Sequence, residues 1–141
     1  MKIVVDANIV ISAAIMPGKT REIITLANAT FLAPPELEDE VRAKSPIIAD
    51  KGNMSETDAE EVLDLLFATI GTVPYGIPQS DIQKARKAIG DEDLDDVPYL
   101  ATAITVNATA VWSDDDVFEE QKYVEWYTTD DIVQLYEDNN L

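Results

Sequence analysis

A chain of 141 residues can enclose one hydrophobic core but not two, and it contains neither cysteine nor histidine. Disulfides, thiolate metal sites, imidazole ligands and imidazole acid–base chemistry are therefore excluded, and carboxylates are the side chains left to hold a metal or move a proton near neutrality; a bound cation would be hard, Mg²⁺ or Mn²⁺. Acids number 28 against 10 lysines and arginines, for a net charge of −18, which leaves no evident positive stripe for a phosphate backbone. A hydrophobic content of 46% excludes disorder as the explanation of that acidity. The reading we favour is adaptation to a high-salt interior, as in a halophile, where the Debye length falls to about 3 Å at 1 M. No apolar run approaches the ~20 residues of a membrane span, and the amino terminus lacks the layout of a signal peptide. The expectation is a single domain over residues 1–141, cytoplasmic and without a membrane partner.

The chain opens on MKIVVDANIVISAAI. Ile3 to Val5 reads as a buried parallel strand, and Asp6 follows with no linker, at the carboxyl edge of a sheet. That edge is where open α/β sheets bind ligands. Asp is also a favoured helix N-cap, so Asp6 carries a capping reading and a chemical one. Asn8 to Ile15 is a buried helix ended by Pro17-Gly18. Thr20 is expected to cap a second helix with Ile23, Ile24 and Ala27 inward, and Thr30 to Ala33 is a second strand, which completes one crossover unit.

From Pro35 a helix runs through PELEDEVRAKSPIIAD, with Pro at its first position, acids in its first turn and a break or kink at Pro46. Ser55 and Asp58 resemble a capping box, and Val62, Leu65, Leu66 and Ile70 give a helical period up to Gly71. Thr72 to Tyr75 is the expected third strand. Ser80 caps a helix that buries Ile82, Ala85 and Ile89 and stops at Gly90. The run Asp91 to Asp96 then opens a helix apolar on nearly all sides, so at least one of these acids is held at a buried helix start. Thr109 to Trp112 is the fourth strand, followed at once by Ser113, Asp114, Asp115 and Asp116. Val124 to Thr128 is the fifth, and Thr129 caps a last helix. The predicted fold is α/β: a three-layer α/β/α sandwich on a mainly parallel sheet of about five strands.

Acids thus recur at successive strand ends and at the starts of the following helices: Asp6, the run ending at Asp96, Asp114 to Asp116, and Glu36 to Glu40. In a doubly wound sheet these positions share one edge. Converging carboxylates repel one another and call for a compensating cation with hard oxygen ligation. Any one acid is equally explained as a cap or a solvated loop residue.

In this order the motifs resemble the PIN-domain ribonucleases, a family that includes the toxins of VapBC toxin–antitoxin pairs. The opening strand with Asp6-Ala7-Asn8 resembles that family's hydrophobic run and D-x-N; PPELEDEV resembles its second motif, with Glu40 the best match; DDVPYLATA resembles the third and points to Asp96; VWSDDDVF resembles the fourth and selects Ser113 and Asp115. The resemblance covers essentially the whole chain. It implies a metal-dependent endoribonuclease in which Asp6, Glu40, Asp96 and Asp115 hold one or two Mg²⁺ or Mn²⁺ ions, and Asn8 and Ser113 orient a carboxylate or water. Asp93, Asp114 and Asp116 are second choices. It also implies an RNA substrate, a homodimer, to which the apolar Tyr75 to Pro78 connection is assigned, and, for a toxin, a partner antitoxin; a stand-alone RNA-processing role is equally open. Lys19, Arg21, Arg42 and Lys44 are the bases near enough to help bind RNA. Within the second motif, at 100° per residue, the centre of the Leu37, Val41, Lys44 and Ile48 stripe lies roughly 70° from Glu40, 90° from Glu38 and 110° from Glu36, which favours Glu40 as bordering the packed face.

Rival readings fail on single residues. A haloacid-dehalogenase-type phosphatase needs a second Asp two positions after the first, where this chain has Asn8. A receiver domain needs a Lys after a late strand, and Thr128 to Asp131 offers none. The alternative that remains is a PIN-like module that binds RNA or protein without cleaving.

Overall fold

In a computed structural model, which describes residues 1–90 and 93–141, five strands form one all-parallel sheet: β1 (Lys2–Val5), β2 (Thr30–Ala33), β3 (Ile70–Thr72), β4 (Ala110–Trp112) and β5 (Glu125–Tyr127), in the order β3-β2-β1-β4-β5. The β-branched run Ile3, Val4 and Val5 is fully buried, as a central parallel strand covered on both faces must be. Helices α1 (Ala7–Ile15), α2 (Lys19–Leu26), α5 (Glu56–Phe67) and α8 (Thr129–Glu137) pack on one another, while α6 (Gln79–Ile89) packs along α7 (Val97–Thr105), which lies against β1 and β4. This is the expected three-layer α/β/α sandwich, with the sheet in the middle. Two short helices, α3 (Leu37–Arg42) and α4 (Ser45–Lys51), follow β2, and Phe31 meets Trp112 across the core at 6.0 Å between ring centroids. No helix is long and apolar enough to cross a membrane among the described residues.

The sheet order fixes where the site can be. From β1 the chain moves outward through β2 to β3, then crosses back to place β4 on the other side of β1. The crossovers from β1 and to β4 therefore diverge, and a crevice opens at the carboxyl ends of these two strands. Asp6 leaves β1 there, with its N–H donating to the Trp112 carbonyl at 3.1 Å, and Ser113 leaves β4.

Several boundaries differ from the sequence pattern. Gly18 in extended backbone, not Thr20, caps α2. The break or kink expected at Pro46 is a break into two helices: Lys44 N–H turns back to the Val41 carbonyl, and Pro46 sits in the first turn of α4, where a missing N–H costs nothing. Helix α5 ends at Phe67, capped by Ser55, and buries Ala59, Leu63 and Leu66 while Leu65 is exposed. Ile70 extends that helical period by four residues but belongs to β3, so the third strand precedes its expected place. Val73 to Gly76 is a turn, with Gly76 at φ 77, and Pro74 has no N–H to continue a ladder. Pro78 and Thr128, not Ser80 and Thr129, cap α6 and α8; Thr128 forms a capping box with Asp131. The helix expected after the acidic run begins as a 3₁₀ turn, Leu94–Asp96. Asp91 and Glu92, the start of that run, lie outside the described residues.

Candidate active site

Asp6 is 5% exposed, and both its carboxylate oxygens are engaged. Oδ1 accepts the Asn8 N–H at 3.0 Å and caps α1, while Oδ2 accepts the Ser113 hydroxyl at 2.6 Å. The capping and chemical readings are thus compatible: the cap fixes the rotamer, and each oxygen keeps a further lone pair. The side chain of Asn8 makes no hydrogen bond among the described residues and stands exposed over the cleft; its backbone is what holds Asp6.

Ser113 joins the two strand ends. Its buried hydroxyl donates to Asp6 and accepts the Asp115 N–H at 3.0 Å, and its carbonyl accepts the Trp126 indole N–H at 2.8 Å. Asp115 is exposed and caps the 3₁₀ turn Asp116–Glu120 through Oδ1. The Asp114 carboxylate is engaged with α8: its two oxygens accept the Thr129 N–H and hydroxyl, both at 2.7 Å, which anchors the start of that helix. Asp116 begins the same 3₁₀ turn and is exposed.

Two hollows meet at Asp6 and Asn8. The larger, about 600 Å³, is lined also by Glu40, Lys44, Asp96 and Tyr99; the smaller, about 340 Å³, by Ser12, Asp114 and Asp115. Glu38 lines a different hollow and stands 3.8 Å from Arg42. Glu40 is therefore the second-motif acid that faces Asp6, although the angular argument for it does not hold: Glu38 is half-buried and Glu40 exposed. The helix breaks after Arg42, so Lys44 and Ile48 are not on the stripe from which those angles were taken, and Arg42 covers Glu38.

Asp96 ends the 3₁₀ turn and starts α7, half-buried. Burial, then the charges of Asp115 and Asp6, then Asp93 and Asp95, push its carboxyl up to about 7. No hydrogen bond or ion pair reaches its side chain among the described residues. Tyr99 is a site residue the sequence pattern places only in a packing stripe. It is buried in the larger hollow, and burial, reinforced by Asp6 and Glu40, pushes its phenol up, so it stays a neutral donor at any ordinary pH. Its position three residues after Asp96, one turn along the same helix face, is the signal that marks it.

Of the four bases named from the sequence, Arg21 is spent on the Ala13 and Ala14 carbonyls at the end of α1, Lys19 pairs with Glu22, and Arg42 bridges Glu38, Glu60 and Asp64. Lys44 alone of them lines the cleft.

Asp6, Glu40, Asp96 and Asp115 offer oxygen donors of the kind a hard divalent cation takes, and the Asp96 carboxylate has no ion-pair partner among the described residues. They do not form a finished cage: among the described residues no three acids stand in metal-holding proximity. A family model described as PIN domain matches residues 4–134. No curated protein matches the chain.

Proposed function

The chain belongs to the PIN-domain family, whose members are generally nucleases, and from that premise we propose that it is a metal-dependent endoribonuclease. What supports the reading is that Asp6 borders two adjoining hollows, one lined also by Glu40 and Asp96 and the other by Asp115, at the point where the crossovers diverge. Asp6, Glu40, Asp96 and Asp115 would hold the cation, with exposed Glu40 and Asp115 free to move inward. Bound Mg²⁺ or Mn²⁺, as one ion or two, supplies an activated water and neutralises charge at the leaving oxygen of an in-line displacement. Ser113 holds Asp6 in place, Asn8 presents its amide to the cleft, and the Tyr99 phenol donates a hydrogen bond into the larger hollow. Purified protein is expected to cleave single-stranded RNA with Mn²⁺ and to stop on addition of EDTA. Cleavage that continues in EDTA overturns the reading, and RNA binding without Mn²⁺-dependent cleavage replaces it with the non-catalytic one.

The setting of that activity follows from charge and surface. We assign the chain to a high-salt cytoplasm, because most of its acids have no basic partner, and its melting temperature should climb steeply with KCl as their repulsion is screened. A flat dependence removes the halophile assignment. A homodimer is proposed through the Tyr75 to Pro78 connection, where Tyr75 is 99% exposed. Light scattering that finds only monomer at tens of micromolar removes it. A toxin role, with an antitoxin partner, is one setting for such a nuclease, and RNA processing is the other.

A further inference from the structure

The two hollows beside Asp6 are unlike. The smaller offers a polyanion nothing: its wall is Asp6, Asn8, Ile9, Ser12, Asp114 and Asp115, with no base. The larger, about 600 Å³, is walled by acids too, Asp6, Glu40, Asp95 and Asp96, but adds Lys44 and the apolar Leu94, Pro98 and Ala43. Leu94, the first residue of the 3₁₀ turn, is 57% exposed, and Lys44 makes no ion pair among the described residues despite its acidic surroundings. A free ammonium beside an exposed apolar wall matches a nucleotide, with its phosphate on the cation and its base against carbon. Among the described residues, Lys44 is the one base that lines either hollow.

We infer that the larger hollow is the nucleotide-binding subsite of the cleft, with Lys44 the phosphate anchor and Leu94 the surface against which the base lies. RNA then enters from the α4 side of Asp6 and leaves the smaller hollow, which has no base among the described residues, to water. The inference rests on the nuclease reading for its choice of RNA, but its test does not need cleavage. Contact with a base through carbon alone makes the subsite tolerant of sequence.

The experiment is fluorescence anisotropy with a labelled uridine hexamer in Mg²⁺ across a range of KCl, read at short times with the hexamer's length checked on a gel. Lys44→Ala should weaken binding about tenfold and lower the slope of log Kd against log salt by about 0.7, the loss of one phosphate contact on a single strand. Lys44→Arg should restore both, and Leu94→Ala should weaken binding without changing the slope. Melting temperatures of the variants confirm that they fold. Wild-type binding and slope in Lys44→Ala, or no binding of the hexamer by the wild type, overturns the subsite. Lys44-dependent binding without cleavage overturns the nuclease reading and leaves the subsite, whereas Mn²⁺-dependent cleavage with Lys44-independent binding does the reverse.

Discussion

Asp6→Asn should reduce kcat/KM for RNA roughly a thousandfold or more, because residues that act as one unit fail together when a member is lost. The fold should survive. Asn caps a helix as well as Asp does, so the Asn8 N–H keeps its acceptor and α1 its start. What is lost is the charge at Oδ2, where the Ser113 hydroxyl donates at 2.6 Å; a charge-assisted bond of this kind contributes about 2 kcal/mol. Urea unfolding should therefore show a cooperative transition at lower denaturant, and activity measured well below that midpoint should still be absent. Asp114→Asn gives the contrast. Its carboxylate holds Thr129 at the start of α8, so it should cost stability and leave most of the cleavage. Equal loss of activity in the two variants would mean that cleavage depends on the strand-end scaffold rather than on the Asp6 charge.

How far the residues alone reveal this arrangement depends on whether they answer to local or to tertiary forces. The apolar run of β1 and the acid after it can only be a central strand and its edge, and Ser55, Gly90 and the Pro at the start of α4 mark helix ends by chemistry that acts within a turn. Ile70 misleads because it sits four residues after Leu66, and either a helix or a following strand would bury it; its pairing with Phe31 of β2 decides for the strand. Glu40 and Glu38 are separated by the break after Arg42 and by the reach of Arg42 to Glu60 and Asp64 on α5, neither of which a helical wheel contains. Asp114 and Asp115 are neighbours that only the motif resemblance separates in sequence; in the fold Asp114 holds Thr129 of α8, whereas Asp115 is tied to Ser113 and caps the 3₁₀ turn. Tyr99 was hidden because an aromatic on a helix with Leu100 and Ala103 reads as core, and it is core on all but the side that meets Asp6 and Glu40.

The acids should also make metal binding depend on pH in a defined direction. Asp96 is raised from 3.8 to about 7 by burial and by Asp115, Asp6, Asp93 and Asp95, so the native state keeps a proton that the unfolded chain has released. The stability that this proton confers is complete below about 4 and is lost as pH rises through 7. A divalent cation must displace the same proton, so its affinity should rise about tenfold per pH unit from about 5 to 7 and level off above. At a hundredfold excess over its Kd the cation adds about 2.7 kcal/mol, a gain of roughly 10 °C in melting temperature for a chain of this length. Calorimetric titration with Mn²⁺ at pH 5.5, 6.5 and 7.5 tests most directly whether acids from four elements act as one centre. Wild type should bind with rising affinity and release a proton at the lowest pH. Asp6→Asn, Glu40→Gln, Asp96→Asn and Asp115→Asn should each weaken binding tenfold or more, while Glu36→Gln and Glu38→Gln bind as wild type. No Mn²⁺ binding by the wild type, or wild-type affinity in any of those four variants, would contradict a shared carboxylate centre.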